Sequence, residues 1–555
     1  MTNRRALIGA IVAVILALAA HVAVRAGEGG KSPDDDVSKA LDQYLTRLGP
    51  FGFNGGVLVA LNGKILLEKG YGVANRAKRI PITTETVFSI GSNTKDLTLA
   101  AIMKLARDGK LSLDDSIARF FKETPDDKRA ITVRHLTQHK AGLESDFGGD
   151  YEPVSRDEII RRALGSKLLS EPGARSHYSN AGYSLLAAII ELVSGQSYEQ
   201  YLSDNIIRPA GLSHTGYNLP QWNLDQVAHG YIDGEDRGTN LEKPHAADGP
   251  YWNLRGNGGI HSTIGEMYRF YNCLDPDTAR VLFPAGAQRV MLAGGDGIFN
   301  FVYFSQPKSN LVIIAATTDA DFKAEALSVQ LARIASGEAH SLPPEVAQLD
   351  DTRLAGVAGD YKLPGGETLT VIADRGRLIV TGPQQAVNVL AALGPDQQKR
   401  IEGLNARAAL TIEAGARGDY RPFHEAIGQM PFSEVQARQT RVWKERRERL
   451  GEFKRVVVLG SFPKASRGDV TLLRLEFERG NELIEYTWND GAVAWIRRLE
   501  RPKGLEFLPA TVSEFVRFDV GSGSTTKLTF KFDEAGRVIG LKAGSNAGGL
   551  EALRR

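Results

Sequence analysis

Two pairs of strand-like segments, set at opposite ends of the first 340 residues, constrain the fold most. The first pair is Val57-Leu58-Val59-Ala60, then Asn62-Gly63, then Lys64-Ile65-Leu66-Leu67. Asn-Gly between two apolar runs predicts a tight hairpin, because both central residues tolerate positive φ. The second pair is Phe299–Phe304 and Leu311–Ala316, joined through Gln306-Pro307-Lys308. Helical patterns dominate from the first pair to about residue 216, with further helices expected over 37–48 and 324–335. Strands at both ends with helices between them predict one antiparallel sheet flanked by helices, an α+β (mixed α/β) unit over 37–340.

Ser341-Leu342-Pro343-Pro344 reads as a linker. Beyond it, Leu369-Thr370-Val371 and Leu378-Ile379-Val380, in a stretch that also holds the turn Pro364-Gly365-Gly366, predict a small β-rich module over 350–398. A C-terminal α+β module is expected over 402–555: helices to Leu450, one opened by Ser433-Glu434-Val435-Gln436 with capping-box spacing, then a strand series. That series comprises Arg455–Leu459, Leu472–Phe477, Leu483–Trp488, Val493–Arg497, Phe515–Phe518, Leu528–Phe532 and Val538–Leu541, with Asn489-Asp490-Gly491 as one turn. Helices followed by such a series suit either a cone-shaped module or a small barrel.

The remaining composition narrows location and chemistry. With 68 basic and 66 acidic side chains among 555 residues, nothing suggests a nucleic-acid partner. The basic-acidic run Arg438–Arg449 reads as a solvated helix face. One cysteine, Cys273, excludes an intrachain disulfide and a cysteine-rich metal cluster, and it reads as a partly buried thiol. No metal site or cofactor is expected. At the N-terminus Arg4 and Arg5 precede an apolar run from Ala6 to Val24, with small residues up to Ala26. Residues 1–26 therefore read as a secretory signal peptide or, uncleaved, as a membrane tether on 6–24. Either reading puts the remainder outside the cytoplasm, periplasmic or secreted.

Ser-x-x-Lys occurs four times, at Ser92/Lys95, Ser305/Lys308, Ser461/Lys464 and Ser524/Lys527, so the spacing alone carries nothing. Only the first opens an amphipathic helix, with Leu99, Ile102, Met103, Leu105 and Ala106 as its buried face and Gly109 as its stop. A serine there has free backbone N–H groups beside it, and Lys95 shares its face. A lysine in a partly dry cleft gives up its charge readily and can take the serine proton. The alternative is a capping serine with a surface lysine. Tyr178-Ser179-Asn180 leads into the apolar run Leu185–Ile190 and offers a proton relay in Tyr178 and a polar anchor in Asn180. The other Tyr-x-Asn is Tyr251-Trp252-Asn253. There is no Gly-x-Ser-x-Gly elbow. His135 and His139 have helical spacing without the glutamate of a zinc protease, and read as structural. Thr263-Ile264-Gly265-Glu266 reads as a helix cap.

Together Phe88–Lys95, Ile131–Leu136, Tyr178–Tyr183, Ile207–Leu212 and Gly258–Thr263 resemble the serine β-lactamase-like family: class C β-lactamases, D-alanyl-D-alanine carboxypeptidases and related esterases. The resemblance covers about residues 45–335. It implies acylation of Ser92, a base role shared by Lys95 and Tyr178, and substrate positioning by Asn180. The family's Lys-Thr-Gly or His-x-Gly motif falls on Leu292-Ala293-Gly294-Gly295. The glycines survive, so the Gly295 N–H can complete an oxyanion hole with that of Ser92, but Leu292 replaces the cation that pairs with a substrate carboxylate. The stretch from Thr263 to Leu292 is also short for the family, and Lys140 stands where a small polar residue is usual. The expectation is an exported serine hydrolase acting on an ester or small peptide or amide rather than efficiently on β-lactams. The alternative is a catalytically impaired binding or sensor protein.

Overall fold

The Asn62-Gly63 turn sets the register of the central sheet. In a computed structural model describing residues 33–428, 430–464, 468–489, 491–545 and 548–555, Asn62 takes φ 53° and Gly63 φ 78°. This turn joins β1 (Gly55–Leu61) to β2 (Lys64–Tyr71). The far segment supplies β3 (Val290–Gly295), β4 (Asn300–Gln306) and β5 (Leu311–Thr317). The sheet runs β2-β1-β5-β4-β3, with β1 antiparallel to β5 from Gly55↔Thr317 to Leu61↔Leu311. One sheet is thus built from both ends of the unit, as expected.

Helices cover both faces, which is why β1 is apolar at consecutive positions. Val57 and Val59 pack with Leu41 and Leu45 of α1 (Pro33–Leu48), while Leu58 and Ala60 face a core that holds α2 (Thr94–Arg107), α3 (Asn180–Ser194) and α4 (Ile264–Asn272). Leu327 and Leu331 of α5 (Ala324–Ala335) complete the α1 side. Thr263 caps α4 by accepting from Glu266 N, as its spacing predicts. Cys273, at the end of α4, is exposed rather than partly buried.

The C-terminal half departs from the expected modules. β6 (Gly359–Lys362), β7 (Thr368–Asp374) and β8 (Arg377–Thr381) do not form a sheet of their own. Inserted after β8 are α6 (Leu404–Ala416), α7 (Arg421–Ile427) and α8 (Phe432–Leu450). These helices pack on a four-stranded sheet of β9 (Phe453–Lys464), β10 (Gly468–Phe477), β11 (Gly480–Asn489) and β12 (Ala492–Leu499). The chain then returns as β13 (Leu505–Pro509), β14 (Glu514–Asp519), β15 (Ser524–Phe532), β16 (Val538–Ser545) and β17 (Gly548–Arg554). These strands close a barrel with β6–β8, Leu378 pairing with Phe507 and Tyr361 with Arg554. The boundary placed between 398 and 402 therefore lies inside an insertion in one barrel. The physical reason is the edge strand: a three-stranded meander leaves two unpaired backbone rows, and closure removes both.

The capping box at Ser433 is not used. Pro431 precedes α8 and Ser433 lies inside its first turn, with Glu434 N donating to the Pro431 carbonyl. The barrel rests against the first domain through Phe518, whose ring lies 6.3 Å from Tyr44 and 5.9 Å from Phe51. The Lys503 ammonium also meets Asp233 at 2.7 Å. The segment expected as a signal or tether, including 6–24, lies outside the described residues. Among those described, no helix is long and apolar enough to cross a membrane.

Candidate active site

A single 3-10 turn, Gly91–Asn93, delivers Ser92 to the N-terminus of α2. Its base is fixed by Ile90 N donating to the Ile260 carbonyl at 3.0 Å and Asn93 N to the Ile90 carbonyl at 3.1 Å. Lys95, one turn on, is 5% exposed and places Nζ 3.0 Å from Ser92 Oγ and 2.7 Å from the Asn257 carbonyl. Tyr178 Oη donates to the same Ser92 Oγ at 2.9 Å. The three expected catalytic side chains thus converge on one oxygen.

Burial pulls the Lys95 ammonium down to about 7, against the opposing charges of Asp96, Asp146 and Asp150. A fraction of Lys95 is therefore neutral at physiological pH and able to accept a proton. Burial pushes the Tyr178 phenol up, its hydrogen bond with Ser92 opposing the shift. These shifts suit Tyr178 to a neutral relay and Lys95 to the base role.

His139 orients the tyrosine. It lies beyond the short helix Val133–Thr137, at φ 56°, so the helical pairing with His135 implied by their spacing does not form. His135 instead closes a capping box with Thr132. The His139 carbonyl accepts from His177 N at 2.7 Å and its Nδ1 accepts from Ser179 N at 3.1 Å, which fixes the remaining ring proton on Nε2. Its ring lies 4.6 Å from that of Tyr178, centroid to centroid. Burial, with the Lys95 charge, lowers His139 to about 4 and keeps it neutral.

Asn180 is the first residue of α3, and Ser179 rather than Asn180 is the cap. Asn180 Nδ2 donates to Asp146 Oδ1 at 2.8 Å, while its Oδ1 is buried with no partner among the described residues. The lysine is held by the Asn257 carbonyl instead of by Asn180.

The Gly294-Gly295 backbone packs directly on the serine turn. A Cβ on Gly294 would lie 2.2 Å from the Ile90 carbonyl oxygen and 2.8 Å from Ser92 N, and one on Gly91 would lie 2.6 Å from Gly295 N. Only glycine permits this approach, which brings the N–H groups of Ser92 and Gly295 to neighbouring positions. Leu292, two residues back on β3, packs half-buried against the core and supplies no charge. The site carries acids instead. Asp296 follows Gly295 and accepts from Ser89 Oγ at 2.5 Å, and Asp146 holds Asn180. Burial, then the charges of Asp146 and Asp296, hold the Asp150 carboxyl up.

Behind Ser92 lies a polar network that the sequence reading missed. Asp96 is buried on α2 and accepts from Tyr271 Oη at 2.7 Å and from Asn93 Nδ2 at 3.4 Å. Asn93 Nδ2 also reaches Tyr271 Oη at 2.9 Å and the Leu292 carbonyl at 3.4 Å. The network ties the serine helix to the strand that bears Gly295. Burial raises Asp96 to about 6, the Tyr271, Asn93 and Lys95 contacts opposing it.

A mixed sheet-and-helix domain thus brings a Ser-x-x-Lys serine and a tyrosine hydroxyl together. Residues 37–300 match the family described as Beta-lactamase. It is 30% identical over 239 residues to a candidate penicillin-binding protein, PbpX, of Bacillus subtilis (strain 168), covering 43% of this chain and 58% of that protein. It is 32% identical over 183 residues to protein flp of Staphylococcus aureus (strain MW2), covering 32% and 37%. The chain thus spans between about a third and three-fifths of the length of these relatives. An octameric penicillin-binding protein homologue from Pyrococcus abyssi is similar at 18% identity and TM-score 0.49, over 92% of this chain and 99% of that one.

Proposed function

We propose that the protein is an exported acyl hydrolase that forms an acyl-enzyme on Ser92 with an ester or a small peptide or amide. The observation that carries this reading is the contact of Ser92 Oγ with both Lys95 Nζ, at 3.0 Å, and Tyr178 Oη, at 2.9 Å. Neutral Lys95 takes the Ser92 proton as Oγ attacks the carbonyl carbon. The oxyanion is met by the N–H groups of Ser92 and Gly295. The proton passes through Tyr178 to the leaving oxygen or nitrogen as that bond breaks. Water, deprotonated by Lys95, then releases the acid and restores the serine.

Substrate charge separates this reading from β-lactam hydrolysis. A β-lactam or peptide carboxylate would meet Leu292 instead of a cation, with the Asp296 and Asp146 carboxylates close by. An uncharged acyl donor avoids that repulsion, which amounts to a few kcal/mol for an unpaired buried charge. Export rests on the N-terminal pattern, with 1–26 as signal or tether. Leu292 also favours the second reading, a binding protein that retains the fold without turnover.

Intact-mass analysis with a fluorophosphonate decides between them. One adduct on the wild type and none on Ser92→Ala supports the hydrolase. No adduct on the folded wild type would leave only the binding protein. Hydrolysis of a chromogenic cephalosporin at a rate matching that of activated esters would refute the substrate assignment.

A further inference from the structure

The C-terminal insertion holds a cavity that the hydrolase chemistry does not use. Helices α6–α8 and the sheet β9–β12 leave a space between them lined by residues of both layers. This cavity has a volume of about 540 Å³, within the range of small-molecule sites. Its floor is apolar: Ile412, Phe423, Trp443, Ile484 and Val493, with the hydroxyl of Tyr486 satisfied by Thr411 Oγ1 at 2.8 Å. Trp495 lines it while remaining 71% exposed.

The charge around this floor is uneven. Four arginines line the cavity against two glutamates, Glu445 and Glu482. Glu482 is buried and consumed by Arg446, at 2.9 Å, and Arg449. Arg438 on α8 and Arg498 on β12 are exposed and have no carboxylate partner among the described residues. An apolar pocket flanked by two free guanidiniums, each able to donate a forked pair of hydrogen bonds to a carboxylate, is complementary to a single kind of small ligand.

We propose that this cavity binds an amphiphilic monocarboxylate, its apolar body against Trp443 and Ile484 and its carboxylate between Arg438 and Arg498. The assignment is independent of the Ser92 chemistry. It also revises the reading of Arg438–Arg449 as a merely solvated face: two of its arginines clamp Glu482, and Arg438 lines the cavity.

Calorimetric titration of the full chain with dodecanoate, below its aggregation concentration, tests the proposal beside dodecan-1-ol. Saturable one-to-one binding is expected. Affinity should fall about tenfold or more for the alcohol and for Arg438→Gln/Arg498→Gln, as the loss of charge-assisted hydrogen bonds implies. Ala494→Trp, which fills the mouth from an exposed lining position, should abolish binding, while fluorophosphonate labelling of Ser92 stays unchanged in both variants. Absence of saturable binding would overturn the proposal. So would equal affinity for acid and alcohol, or binding that survives Ala494→Trp.

Discussion

The first turn of α2 and the end of β9 carry the same four-residue spacing, Ser92-x-x-Lys95 and Ser461-x-x-Lys464, with opposite outcomes. On a helix, residues three apart share a face, so Lys95 Nζ comes within 3.0 Å of Ser92 Oγ. Ser461 is fully buried, and its hydroxyl is spent on Asn405 Oδ1 and Thr471 Oγ1, each at 2.6 Å. Among the described residues the Ser92 hydroxyl instead meets Lys95 and Tyr178, and the residue is only partly buried. A motif acquires chemistry from the element that carries it.

The sharpest test of that contrast removes each hydroxyl in turn. Ser92→Ala should lower turnover of an activated ester by at least about a thousandfold and leave the melting temperature nearly unchanged. Ser461→Ala should leave kcat alone but strand Asn405 Oδ1 and Thr471, costing about 1–3 kcal/mol in denaturant titration. Loss of turnover in the second variant at full stability would break the comparison. Next in size, Tyr178→Phe should slow acylation by about 10²–10⁴, measured as the fluorophosphonate labelling rate. Gly294→Ala should follow at about 10²–10³, because its Cβ would lie 2.2 Å from the Ile90 carbonyl and push β3 from the serine turn. A circular dichroism spectrum matching the wild type would confine that effect to the site.

The parts of the molecule legible in sequence are those set by neighbouring residues. Asn62-Gly63 specifies its own hairpin, and Ser92 announces a helix start. Asp96 was legible in principle, since it lies on the buried stripe of α2 with Leu99 and Met103, where an acid needs partners. The hold of Asn257 on Lys95 was not, because a backbone carbonyl leaves no signature in residue type. The barrel was hidden for another reason: β6–β8 find their partners only after an insertion of more than a hundred residues. Its strand β13 ends at Pro509, which weakens a strand signal further.

The smallest effect probes the difference between a helix that holds a base and one that merely exposes a lysine. Burial holds Lys95 down to about 7, so labelling of Ser92 should rise tenfold per pH unit below that value and level off above it. Stability should also rise with pH above 7, since between about 7 and the ordinary lysine value the unfolded chain holds the proton that the folded chain has released. Asp96, ionised above about 6, keeps Lys95 from falling further. In Asp96→Asn the amide can still accept from Tyr271 but the charge is gone, so Lys95 loses its proton more readily. The rising limb of the labelling profile should then move to lower pH, while the plateau falls only modestly. A lowered plateau with an unmoved limb would make Asp96 a structural link between α2 and β3. A shifted limb makes it the charge that sets where the base works.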